Sequence, residues 1–157
     1  MTAVTRQGRY HGLGNKGVTE YRGVPFARAP LGELRFKAPQ PLPDSGAEQT
    51  ADHYPMPSLQ MKNPVMGIQE SSEDCLYLNI WVPDGEGPFP VMVWFHGGGY
   101  LAGSVSQVLY NGAELARSQN VVVVNAAYRL GAMGFADFSA VALELDCLLY
   151  TSPSPRD

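Results

Sequence analysis

The hydrophobic pattern is sharpest where polar residues drop out. Val91-Met92-Val93-Trp94-Phe95 runs as five successive apolar residues, and a run without polar alternation predicts a strand buried on both faces, as in parallel sheets. Val121-Val122-Val123-Val124 is a second such run, β-branched throughout. Between them, Asn111 is placed to cap a short helix reaching about Ser118, with Ala113, Leu115 and Ala116 as its apolar content. Gly112 in the first turn weakens that helix. Strand, helix, strand in this order predicts a βαβ unit, hence a parallel pair with a right-handed crossover. Upstream, Leu76, Leu78, Ile80 and Val82 alternate at period two and predict a strand with those four on one face. Asp84-Gly85-Glu86-Gly87 then turns the chain toward the apolar run.

The N-terminal third is less regular. Residues 1–23 carry short alternations broken by glycines and predict a small edge hairpin, with residues 18–22 the better strand. Residues 21–36 are too rich in Pro and Gly for a helix, yet hold aromatic and aliphatic groups that need burial. They predict an ordered loop packed on the sheet. Residues 38–66 are Pro-rich and weakly patterned, and read as covering surface.

Bulk properties narrow the function. A chain of 157 residues suits a single domain with a real core, and 45% hydrophobic with 17% charged content is globular. A net charge of -4 with a pI near 5.3 argues against nucleic acid or an anionic membrane as partner. Residues 1–9 contain no apolar signal core, and no apolar stretch approaches a membrane span. The 17 Gly and 13 Pro imply extensive loops.

The chemistry lies where the apolar run meets His96-Gly97-Gly98-Gly99. Three glycines leave backbone N–H groups uncovered by any Cβ, and such a loop can aim two amides at one developing oxyanion. A tight strand exit with no chemistry fits the glycines equally well.

Longer stretches decide between them. Tyr21-Arg22-Gly23-Val24-Pro25-Phe26-Ala27, Gly32-Glu33-Leu34-Arg35-Phe36 and Glu73-Asp74-Cys75-Leu76-Tyr77-Leu78-Asn79-Ile80-Trp81-Val82-Pro83 resemble the type B carboxylesterases, which include the cholinesterases. His96 to Gly99, Tyr110-Asn111-Gly112 and residues 125–135 around Tyr128-Arg129-Leu130-Gly131 continue the resemblance, which spans residues near 17 to 138. It implies an α/β class, the N-terminal portion of an α/β-hydrolase fold with a mixed, mostly parallel central sheet. It also implies a serine carboxylic-ester hydrolase acting on small-molecule esters through an acyl-enzyme, with no cofactor and no metal. Position by position, Gly98 and Gly99 would donate the oxyanion-hole N–H groups, His96 and Gly97 would shape that loop, and Arg35 and Glu73 would form a structural ion pair.

His96 is not the expected base, because in this family the histidine follows the serine and the acid. His11 and His53 read as ordinary surface residues. Cys75 matches a cysteine that is disulfide-bonded in secreted relatives. No second cysteine precedes Cys147, which points to a free, buried thiol, a bacterial-type member and a cytoplasmic setting.

The nucleophile elbow Gly-x-Ser-x-Gly does not occur. None of Ser104, Ser106, Ser118, Ser139, Ser152 and Ser154 lies between the required glycines. The resemblance implies that serine, acid and histidine lie downstream of these residues, with residues 1–146 forming the N-terminal part of one catalytic domain. Residues 147–157 are similar to the adaptor of transposase-based sequencing libraries translated in frame, a natural Ser-Pro tail being the alternative. The resulting expectations are a chain with no esterase activity of its own, poor stability and exposed apolar strand edges. The competing readings are a cholinesterase-like binding or adhesion protein that has lost its serine, and a short binding module.

Overall fold

A computed structural model describes residues 1–136 and 138. The strands are β1 (Thr2–Thr5), β2 (Gly8–His11), β3 (Leu13–Asn15), β4 (Val18–Pro25), β5 (Glu48–Thr50), β6 (Tyr77–Pro83), β7 (Val91–Trp94) and β8 (Val122–Ala126). The helices are α1 (Ala113–Gln119) and α2 (Gly131–Phe135). Cys147 and the adaptor-like stretch 147–157 lie outside the described residues, as do residues 139–146.

The strands form a small sheet, ordered β1-β2-β5, and a five-stranded sheet, ordered β3-β4-β6-β8-β7. The larger sheet is mixed. Its β3-β4, β4-β6 and β6-β8 pairs are antiparallel, whereas β7 and β8 run parallel. That parallel pair, bridged by α1, is the βαβ unit anticipated from the two valine-rich runs. The N-terminal region holds two hairpins rather than one. Residues 23–25, anticipated as loop, continue β4 past the anticipated strand 18–22, with a register shift between Tyr21 and Val24.

The core divides between the two faces of β6. Trp81 is fully buried and packs with Val18, Val123 and Ala116 of α1. A helix of seven residues is too short to stand alone, so this contact is what holds it. The chain approaches here so closely that a Cβ on Gly112 would lie 2.7 Å from Val123 and 2.8 Å from Trp81. On the opposite face, Ile80 and Val82 are only partly buried, against Tyr10, Tyr21 and Ala51, where the small sheet packs. The deepest face of β6 is thus not the one that carries the alternating Leu78, Ile80 and Val82. Asn79 and Trp81 are the sealed positions, and asparagine is accommodated because Asn79 accepts from the Gly23 N–H (3.0 Å) and donates to the Val105 carbonyl (3.2 Å).

β7 departs from the burial that its apolar run alone predicts and matches the expectation of exposed apolar strand edges. Val91 to Phe95 are 38–63% exposed rather than buried on both faces. β7 ends the sheet, with β8 on one side and no strand among the described residues on the other. The apolar run reports what the strand is suited to contact, not what covers it here. The helix start shifts as well: α1 begins at Ala113, after Gly112, and Asn111 acts one residue earlier by accepting the Ala113 N–H at 2.9 Å. Within the weakly patterned stretch, residues 48–50 form β5, parallel to β2.

Two charged groups are deeply buried. Glu20 is sealed but satisfied, receiving Arg22 Nη2 (2.6 Å), Arg22 Nε (2.9 Å) and Asn15 Nδ2 (2.6 Å). Arg129, 4% exposed, donates Nη1 to the Lys37 carbonyl (2.9 Å), while its Nε and Nη2 find no acceptor among the described residues.

Candidate active site

β7 and β8 are parallel and paired from Val91↔Val122 to Trp94↔Asn125, so the segments that follow them leave the sheet at the same end. The carboxyl ends of parallel strands are where α/β proteins place ligands. At this end the glycine loop after β7 meets residues 127–131 after β8, and aromatic groups fasten one to the other. Tyr128 Oη donates to the His96 carbonyl at 2.5 Å, and its ring stacks on the His96 imidazole with centroids 4.6 Å apart. The Gly131 N–H donates to the Tyr100 carbonyl (2.7 Å), and Tyr100 packs on Phe135 of α2 at 4.6 Å.

His96 is buried and its Nδ1 lies 2.9 Å from the Gly97 carbonyl, which assigns the Nδ1–H tautomer as donor. Burial lowers its pKa from the ordinary histidine value, outweighing the opposing pull of the Gly97 bond, so the ring is neutral at pH 7. A stacked, neutral imidazole bonded back into its own loop is a structural member of that loop.

Gly98 and Gly99 need to be glycine for different reasons. Gly98 has φ +132°, and a Cβ there would fall 1.8 Å from the Ala102 carbonyl oxygen. Gly99 has φ +61° with open space around the Cβ position. The Gly98 carbonyl accepts from Leu101 N (3.1 Å) and Ala102 N (3.2 Å), closing a tight turn. Both glycines are exposed, and among the described residues neither N–H donates to a backbone or side-chain acceptor. Two adjacent, uncommitted amides on a stiffened turn can receive an oxygen carrying partial negative charge. An open cavity of about 520 Å³ adjoins the turn, lined in part by Leu59, Gln60, Met61, Leu101, Leu130 and Met133.

The remaining sequence candidates fall outside this turn. Arg35 pairs in bidentate fashion with Glu73, Nε–Oε2 2.6 Å and Nη2–Oε1 2.9 Å, tying the loop after the turn Gly32–Leu34 to the approach of β6. The Cys75 thiol is free and buried, its pKa pushed up by desolvation. His11 is half-exposed at the end of β2, the central strand of the small sheet, bonded to Thr2 (3.0 Å) and Glu48 (3.2 Å), while His53 is exposed beside Asp52. Among the described residues no group of three or more His, Cys, Asp or Glu could hold a metal, and no helix is long and apolar enough to cross a membrane.

Sequence reasoning missed two residues at this end. Tyr128 stood within a recognised stretch, but nothing in the pattern connected its hydroxyl to His96. Gln60 lay in the stretch read as covering surface, yet both ends of its amide reach Gly103, directly beneath the loop.

Comparison with known proteins agrees with this arrangement. The model of the carboxylesterase family matches residues 2–143. The para-nitrobenzyl esterase of Bacillus subtilis (strain 168) is 39% identical over 87% of this chain and 29% of its own length. The cholinesterase of Mus musculus is 43% identical over 85% of this chain and 25% of its own. Among solved structures, a thermophilic pNB esterase superposes with a TM-score of 0.84 at 37% identity, covering 88% of this chain and 30% of that one. The chain thus spans under a third of the length of these relatives. By sequence, by backbone and by the loop at the end of its parallel strands, the chain belongs to the carboxylesterase family.

Proposed function

We propose that residues 1–146 are the N-terminal part of a single α/β-hydrolase domain that cleaves small carboxylic esters through an acyl-enzyme, and that they supply its oxyanion hole. In that reaction a serine attacks the ester carbonyl, and the carbonyl oxygen becomes a full oxyanion in the tetrahedral intermediate. Gly98 and Gly99 N–H donate to that oxygen, and each such donor lowers the barrier by about 3 kcal/mol. The observation that carries this reading is the pair of exposed, uncommitted N–H groups on a turn whose carbonyl side is already bonded. A preorganised turn does not reorganise as charge develops. His96 and Gly97 contribute stiffness, and because His96 is held neutral the loop adds dipoles rather than a cation.

With no Gly-x-Ser-x-Gly in the sequence, the oxyanion hole here has no nucleophile to serve, and the chain alone is inactive. The test is p-nitrophenyl acetate hydrolysis by the purified chain against its Gly98→Ala/Gly99→Ala variant. Equal background rates are expected. A faster rate for the unsubstituted chain would refute the inactivity and demand a nucleophile among these residues.

A further inference from the structure

We propose that Gln60 is a positioning residue for the Gly98 and Gly99 N–H groups, acting through Gly103; the inference rests on the oxyanion reading of that loop. Gln60 treats Gly103 as a neighbouring strand would. Its Nε2 donates to the Gly103 carbonyl (2.7 Å), and its Oε1 accepts the Gly103 N–H (2.9 Å). The remaining Nε2 hydrogen reaches the Ser58 carbonyl at 2.9 Å. The amide is thus fully engaged along one line of backbone.

Both ends of this clamp are anchored. The Gln60 backbone is held by Ser71 in both directions, Gln60 N to Oγ at 3.3 Å and Ser71 Oγ to the Gln60 carbonyl at 3.1 Å. Ser58 is buried and donates its hydroxyl to the Tyr128 carbonyl at 2.6 Å, which ties the clamp to the residue stacked on His96.

Gly103 transmits the position to the loop. It sits at φ +122°, so close to the loop that a Cβ would lie 2.3 Å from His96 Nδ1 and 2.7 Å from the Gly97 carbonyl. Its neighbour Ala102 presents the carbonyl that packs against the Cα of Gly98, and donates its own N–H to the Gly98 carbonyl. Holding Gly103 therefore fixes Ala102, and Ala102 fixes the rotation of the Gly98–Gly99 peptide, which carries the Gly99 N–H. The Gly98 N–H belongs to the preceding peptide, whose Gly97 carbonyl accepts from His96 Nδ1 and lies against Gly103. Within the loop, His96 reaches only the Gly97 carbonyl, so the hold on Gly103 and Ala102 comes from Gln60.

The test uses the full 157-residue chain, ¹⁵N-labelled, with Gln60→Leu and Gln60→Glu variants. The amide shifts and hydrogen exchange of Gly98, Gly99 and Gly103 are read, with the Trp81 indole resonance reporting the core. Gln60→Leu should speed Gly103 amide exchange roughly tenfold, as expected for one lost hydrogen bond. It should also shift or broaden Gly98 and Gly99 while Trp81 stays in place. Gln60→Glu should show the same displacement at neutral pH, where a carboxylate faces the Gly103 carbonyl. Read as the difference from wild type titrated in parallel, which removes the response of His96 in the same loop, the displacement should reverse as the pH falls and the introduced carboxyl regains a donor, a difference profile that simple loop packing would not produce. Wild-type Gly98 and Gly99 shifts in Gln60→Leu overturn the proposal. If that variant loses the Trp81 signal, the pH titration of Gln60→Glu decides, and Gly98 and Gly99 shifts that follow wild type across the titration overturn it. These readouts involve no hydrolysis. An active longer protein indifferent to Gly98 and Gly99 substitution would remove the oxyanion reading and leave the clamp standing.

Discussion

Gly98→Ala and Gly99→Ala look like the same substitution one residue apart, but the structure makes them unequal. At Gly99 an added Cβ meets nothing within 4 Å, and φ +61° lies in the left-handed helical region. Alanine there should cost only the left-handed penalty, about 1 kcal/mol. At Gly98 the Cβ would sit 1.8 Å from the Ala102 carbonyl oxygen, and φ +132° belongs to a region essentially reserved for glycine. Relief requires opening the turn, which gives up the Leu101 and Ala102 bonds to the Gly98 carbonyl. Backbone strain or its release by turn opening should then cost about 3–5 kcal/mol, with each lost bond contributing about 1 kcal/mol. Urea unfolding followed by tryptophan fluorescence, with amide exchange at Leu101 and Ala102, separates the two. Gly98→Ala should lower stability by the larger amount and lose protection at both amides. Gly99→Ala should keep that protection. Equal destabilisation, or a Gly98→Ala variant with protected Leu101 and Ala102 amides, would refute the turn geometry on which the site depends.

Other consequences can be checked separately. The folded-state pKa of His96 is lowered by burial, so its contribution to stability is fully present above the ordinary value of 6.5 and is lost as pH falls from there through the lowered folded value. His96→Phe should remove that acid-side loss in urea midpoints measured from pH 7.5 to 4.5, and an unchanged pH dependence would count against it. Tyr77 is pushed up to about 12 by burial and by its bond to Asp74, so its stabilising contribution holds below pH 10 and fades as pH rises through that value. Absorbance titration of wild type against Tyr77→Phe should isolate one late-ionising phenol. Arg129→Met removes a buried guanidinium with two nitrogens unpartnered among the described residues and should raise the stability of this chain by about 1–3 kcal/mol; a lower urea midpoint would contradict this. Val93 lies on the exposed edge strand, so Val93→Lys should suppress light scattering on concentration without lowering the melting temperature.

What could be read from sequence, and what could not, follows from the range of the interactions. The β7-α1-β8 unit was legible because uninterrupted valine-rich runs and an Asn before a short apolar helix are local signals. The glycine loop was legible because three successive glycines free the backbone for positive φ and leave its N–H groups uncovered wherever they sit. The deeper face of β6 was not, because Trp81 is sealed by α1, which lies some thirty positions further along the chain. The apolar run of β7 did not itself show its exposure, because hydrophobicity records suitability for burial whereas burial needs a partner; the expectation of exposed strand edges came from the resemblance instead. Gln60 was invisible because its function is a pair of hydrogen bonds to a backbone 43 residues away. No period or composition encodes such a contact.

The measurement that tests the central proposal most directly is the sequence of the source DNA, read outward in frame from the codons for residues 125–135. The account predicts that the frame departs from residues 147–157 and continues into a Gly-x-Ser-x-Gly elbow, giving the Gly98 and Gly99 N–H groups a serine to serve. A frame that continues but replaces that serine would contradict ester hydrolysis and favour a binding protein on the same fold. A genome that encodes residues 147–157 and then stops would contradict the proposed catalytic domain itself.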